Sequence, residues 1–135
     1  MSDEARFSGS SFVAGTWRNG FGVTFEAQGD AYVAHYIFKQ HQQGPPNIAH
    51  GGAVAALIDE AMTATVFKSG YAPAFTVNLN ISYRAPIYLG EQIRIMARLL
   101  QVDGRKVFLR SEILLPNGTL ATEAEGLFVR ITEAL

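Results

Sequence analysis

The stretch from Asn47 to Met62, NIAHGGAVAALIDEAM, sets His50, Gly51 and Gly52 at the mouth of an Ala-rich apolar run and places one carboxylate, Asp59, inside its body. Glycine at a helix start lets a ligand approach the unpaired backbone N–H groups, which carry the positive end of the helix dipole. A carboxylate among Ala, Leu, Ile and Met needs a reason to be there, because burying a charge is costly. At about 100° per residue, Gly52 and Asp59 point within roughly 20° of each other and lie roughly 10 Å apart along the axis. A carbonyl group fits between them: the glycine N–H groups polarise its oxygen, and Asp59 acts as general base or nucleophile. Glu60 points about 100° away and is assigned to a flank or rim. His50 is counted among the catalytic residues, as a base, an orienting hydrogen-bond group or a plain loop-to-helix residue, with orienting the turn favoured over proton transfer. A structural reading accounts for the same residues: a salt bridge at Asp59 and a tight turn at the glycines.

These residues must be positioned by a helix running from about His50 to Lys68, with Val54, Leu57, Ile58, Ala61 and Thr65 as its buried stripe. Ser69-Gly70 stops it, and Gly70 suits a left-handed cap. Before the helix, residues 21–26 and 31–38 alternate as strands, joined by Gln28-Gly29-Asp30, and Gly44-Pro45-Pro46 marks a loop. After it, a strand opens near Phe75, with Val77, Leu79, Ile81 and Tyr83 on one face and Thr76, Asn78, Asn80 and Ser82 on the other. Residues 90–102, 106–115 and 119–131 follow as long strands, with hairpin signals at Asp103-Gly104 and Pro116-Asn117-Gly118. One long helix within a largely antiparallel sheet is an α+β arrangement. The chain of 135 residues reads as a single domain, with residues 1–10 as a mobile tail and 12–17 as a cover segment.

Composition narrows the functional classes. The chain is 48% hydrophobic and only 17% charged, so a second copy is expected to cover some apolar surface. A net charge of −1 without a Lys/Arg cluster argues against a nucleic-acid face. The absence of cysteine removes thiol catalysis and Cys-based zinc sites. His35, His41 and His50 do not follow a metal-ligand spacing, so no metal and no cofactor are expected. No signal peptide and no membrane span are read, which makes a cytoplasmic protein the expectation.

The run from Gly44 to Gly52, GPPNIAHGG, with Asp59 nine positions after His50, resembles hot-dog-fold acyl-CoA thioesterases. It is most similar to the phenylacetate-pathway group and the related mitochondrial thioesterase superfamily. The strand FTVNLNISYRAPI, from Phe75 to Ile87, and the hairpin VDGRKV, from Val102 to Val107, resemble later parts of the same fold. The resemblance implies a curved antiparallel sheet wrapped around the helix, and two subunits joined edge to edge as a homodimer or a dimer of dimers. It implies acyl-CoA as substrate and points to Gly51 as the oxyanion donor. It also implies that Thr76 enters the site from the partner subunit to help place water. Gly44 occupies the position, six before His50, where some relatives carry an asparagine; Asn47 lies near the site at a different spacing and is kept as a substrate-side residue with Gly52. Arg84, Arg105 and Lys106 are candidates for the coenzyme A phosphates, and Phe67, Tyr71 and Phe75 for an acyl pocket. Two further readings remain, a hot-dog hydratase or dehydratase and a non-catalytic acyl-CoA binding module. The first wants a histidine base for an α-proton, and the second needs no carboxylate facing a thioester.

Overall fold

The computed structural model describes residues 21–131; the proposed tail at 1–10 and cover segment at 12–17 lie outside them. Its strands are β1 (Glu26–Gln28), β2 (Ala31–Ile37), β3 (Ala74–Tyr83), β4 (Gln92–Asp103), β5 (Lys106–Leu114) and β6 (Leu120–Arg130). One helix, α1 (Gly51–Lys68), separates β2 from β3. The six strands form one antiparallel sheet in the order β1-β2-β4-β5-β6-β3. Connection through α1 carries the chain from one end of the sheet to the other, so β3 becomes an edge.

The core lies between α1 and the concave side of that sheet. Val54, Leu57, Ile58, Ala61 and Met62 of the helix are buried against Ile93 and Ile95 of β4, Leu109 and Ile113 of β5, and Phe128 of β6. Each large aliphatic side chain removed from water in this way contributes about 1.5–3 kcal/mol. The helix ends as its sequence requires: Tyr71 N–H bonds the Val66 carbonyl and Gly70 N–H bonds that of Phe67, with Gly70 at φ 86°. Gly126 of β6 marks the tightest approach, since a side chain there would fall on the sulfur of Met62. Thr65, buried mid-helix, donates its hydroxyl to the Ala61 carbonyl. Among the described residues, no helix is long and apolar enough to cross a membrane.

Three expectations from sequence require correction. The first strand is confined to Glu26–Gln28; Phe21 and Phe25 instead pack irregularly, Phe21 meeting Tyr36 and Phe38 edge-on at 5.0 and 6.2 Å. Glu60 lies buried at 3% exposure rather than on a rim. In β3 the simple alternation breaks at Val77, an extra residue between Thr76, which opposes Phe128, and Asn78, which opposes Leu127. This bulge puts Thr76 on the helix side together with Leu79, Ile81 and Tyr83, leaving Asn78, Asn80 and Ser82 outside and Val77 half exposed.

Candidate active site

The helix start is built by two side chains. His50 is the N-cap, in extended conformation, and its Nδ1 accepts the Gly52 N–H at 2.9 Å. An accepting Nδ1 carries no proton, so the neutral ring has its N–H on Nε2. From the edge strand, Tyr83 donates its hydroxyl to the Gly51 carbonyl at 2.8 Å. Burial pushes the Tyr83 phenol above its ordinary pKa, so it remains a donor at neutral pH. Gly52 therefore has its N–H engaged by His50, which corrects its assignment as a substrate donor. Gly51, at the first helical position, keeps an N–H without an acceptor among the described residues.

Two turns further along, Asp59 is half-buried and its Oδ1 accepts the Thr76 hydroxyl at 2.7 Å. Its other oxygen has no partner among the described residues. Thr76 thus serves the aspartate of its own chain, which corrects the implication that it crosses to a second subunit. The physical reason is the bulge at Val77, which turns the hydroxyl toward α1. Eight residues of helix separate Gly51 from Asp59 by about 12 Å along the axis. The chain thus offers an open N–H donor at one point and a held carboxylate, with an oxygen to spare, at another. The first can polarise a carbonyl and the second can activate water or attack directly.

The remaining assignments disperse. Asn47, at φ 66°, is an exposed turn residue whose N–H bonds Gln43 Oε1 and whose carbonyl accepts from Leu89; among the described residues no hydrogen bond joins it to Gly51 or Asp59. Arg84 lies on the Gly51 side and is ion-paired with Glu123 at 2.9 Å, the bond holding that carboxyl below its usual range. Arg105 and Lys106 lie at the β4–β5 hairpin, in register with the far end of β6. Phe75 is 53% exposed on the face opposite Thr76, and Tyr71 packs under Arg130. An apolar cavity of about 340 Å³ lies beside Gly51, lined by Ile48, Val54, Tyr83, Ala85 and Ile87 among others. Sequence reasoning missed Tyr83 and this cavity because both arise from β3 folding back along α1. Among the described residues, no group of three His, Asp or Glu side chains could hold a metal ion.

Comparison with known proteins places this geometry. The model of the Thioesterase superfamily matches residues 46–122, which include the helix start, Asp59 and Thr76. An acyl-coenzyme A thioesterase of Mus musculus, THEM4, is 38% identical over 92 residues, covering 67% of this chain and 39% of that protein. The chain thus spans about two fifths of the length of that relative. A solved thioesterase superfamily protein superposes with a TM-score of 0.81 at 28% identity, covering 89% of this chain and 59% of its own. The Escherichia coli PaaI protein of the phenylacetic acid degradation operon superposes at 0.73 with 18% identity, over 82% of this chain and 80% of its own. The sheet wrapped on a single helix is the hot-dog fold.

Proposed function

The chain belongs to the thioesterase superfamily, and on that premise we propose that it hydrolyses an acyl-coenzyme A thioester to the free acid and coenzyme A. The observation that carries this reading is the Asp59–Thr76 pair, a carboxylate fixed by one hydrogen bond with its second oxygen open. The name of the mouse relative supports the substrate class. In the general-base form, water adds to the thioester carbonyl while its proton passes to Asp59. The carbonyl oxygen gathers negative charge at the Gly51 N–H, and collapse of the tetrahedral species expels the coenzyme A thiolate. In the nucleophilic form, the open Asp59 oxygen itself adds, the coenzyme A thiolate leaves, and water then cleaves the acyl–Asp59 anhydride to release the acid and restore the carboxylate.

A homodimer brings the two halves together. Among the described residues, strand β3 is an edge with half-exposed Phe75, Val77 and Tyr83 and an unpaired row of backbone groups. Antiparallel pairing with β3 of a second copy, centred on Asn80 and with the extra Val77 skipped, sets Thr76 of one copy opposite Tyr83 of the other. Because Tyr83 holds the Gly51 carbonyl, Gly51 of the second copy then lies beside the Asp59–Thr76 pair of the first. Each site takes its carboxylate and hydroxyl from one copy and its oxyanion donor from the other, and the cavity beside Gly51 receives the acyl group. The working species is this dimer or a dimer of two such dimers, in the cytoplasm.

The test is thiol release measured with a trapping dye over a panel of acyl-CoA substrates, comparing wild type with Asp59→Asn. Turnover in the wild type and its loss in the variant are expected. Failure of every acyl-CoA to turn over, or an Asp59→Asn protein of full activity, overturns the reading.

A further inference from the structure

We propose that Thr122 makes the cavity beside Gly51 selective for acyl groups that carry an uncharged oxygen, oxo or hydroxyl, along their chain, an assignment that rests on the thioesterase reading above. Thr122 stands in β6 between Tyr83 of β3 and Ile113 of β5. It faces the helix side, as does Tyr83, whose hydroxyl reaches Gly51, and it lines the cavity. Four polar side chains are buried among the described residues: Glu60, Thr65, Ser111 and Thr122. Thr65 donates to the Ala61 carbonyl and Ser111 to that of Met96, both at 2.8 Å, and Glu60 is engaged as well. Thr122, at 1% exposure, has no hydrogen-bond partner for its hydroxyl among the described residues.

A hydroxyl taken out of water without a partner is costly, and buried ones normally find a partner. The Thr122 oxygen is not sealed in protein, because Arg130 Nε is the one side-chain polar atom among the described residues that is both sealed and unpartnered. The hydroxyl therefore opens onto the cavity that the residue lines. Around it the walls are apolar, with Ile48, Val54, Ala85 and Ile87. The two other polar side chains there are committed, Tyr83 to the Gly51 carbonyl and Arg84 to Glu123. An acyl chain filling the cavity thus meets a single free hydrogen-bonding side chain. An alkyl chain leaves that hydroxyl facing methylene groups, whereas an oxo group accepts its proton and a hydroxyl donates to it or accepts from it. Such a site discriminates in one direction, against the acyl group that lacks the counterpart of its buried polar group. An ionised acyl end finds no free cation here, since Arg84 is held by Glu123.

The experiment measures kcat/KM of the full chain for heptanoyl-CoA and for its 4-, 5- and 6-oxo derivatives, with 6-methylheptanoyl-CoA as the control for bulk. Wild type favours one of the oxo esters about tenfold over heptanoyl-CoA, and the methyl ester gains nothing comparable. Thr122→Val keeps the shape and removes the hydroxyl, so the preference disappears; Thr122→Ser retains most of it. Thr122→Val also melts no lower than wild type, because the lost hydroxyl bonds no protein group. Absence of an oxo preference in wild type, its survival in Thr122→Val, or its loss in Thr122→Ser overturns the assignment. A lower-melting Thr122→Val protein overturns it too, by showing that the hydroxyl serves the fold. Calorimetry on Asp59→Asn chains, with and without Thr122→Val, separates this proposal from the hydrolase reading. Tighter binding of an oxo ester through Thr122, when wild type hydrolyses none of the esters, upholds the selectivity and removes the hydrolase. Hydrolysis of all the esters without an oxo preference does the reverse.

Discussion

Gly51→Pro isolates the oxyanion donor from everything else the helix start does. Proline deletes one N–H, and at the first helical position that N–H has no intrahelical acceptor to lose. The preceding residue must be extended, and His50 already is, at φ −62° and ψ 135°. The added Cβ meets ordinary space, since at Gly51 it would lie 3.7 Å from the Tyr83 ring, a normal contact. The fold should therefore be kept, with a gain of about 0.4–1 kcal/mol from a stiffer unfolded chain. Activity should fall about 10²–10³-fold, the 2.7–4 kcal/mol carried by one oxyanion-hole donor, and should fall in kcat. Gly51→Ala is the comparison, because it adds the same Cβ and retains the N–H; it should stay within a few-fold of wild type. Thermal melts establish folding, and steady-state kinetics on a competent acyl-CoA read the effect. A folded Gly51→Pro protein with wild-type kcat would refute the assignment of this N–H, and equal losses in both variants would assign the effect to bulk instead.

Mixing Asp59→Asn with Gly51→Pro chains tests the shared site: the mixed dimer has one site with both lesions and one with neither, so up to half of wild-type activity should return. Inactivity after verified subunit exchange would place Gly51 and Asp59 in one chain's site. Thr76→Val should reduce kcat while Thr76→Ser retains most of it, since only the second keeps a donor to Asp59; equal rates for the two would remove the hydroxyl from the mechanism. His50→Ala should cost about 0.5–2 kcal/mol in chemical denaturation through loss of the cap, with His50→Asn recovering part of it. Gly126→Ala should destabilise by about 1–3 kcal/mol by pressing on Met62 and Leu79, and unchanged thermal stability would show that the thioether simply moves aside.

What could be read from sequence was whatever is encoded locally. The helix, its buried stripe, the left-handed cap at Gly70 and both hairpin turns follow from spacing and turn chemistry within a few residues. The capping role of His50 was likewise legible, because it depends on a residue two positions away. Features set by pairing between distant strands were not. The side on which Thr76 lies depends on its register with Phe128, 52 positions later, and nothing about Val77 itself announces a bulge. Arg84 reads as a free cation until Glu123 is brought across from β6. The contacts of Arg130 carried no signal either, because they lie with Arg105, with which it shares two hydrogen bonds, and with the Tyr71 ring beneath it.

The extra residue at Val77 makes the edge strand a parity device. Each residue on its N-terminal side is set as though Val77 were not counted, so Thr76 opposes Phe128 while Asn78 opposes Leu127. Deleting Val77 therefore restores regular alternation and leaves Thr76 opposite Phe128, on the helix side. Straightening the strand at its full length is another matter: Val77 would then oppose Phe128, Thr76 would turn to the outer face, and Phe75 would come inward to where Asp59 stands. The hydrogen bond to the carboxylate thus survives loss of the spare residue; what it does not survive is the spare residue kept without its bulge.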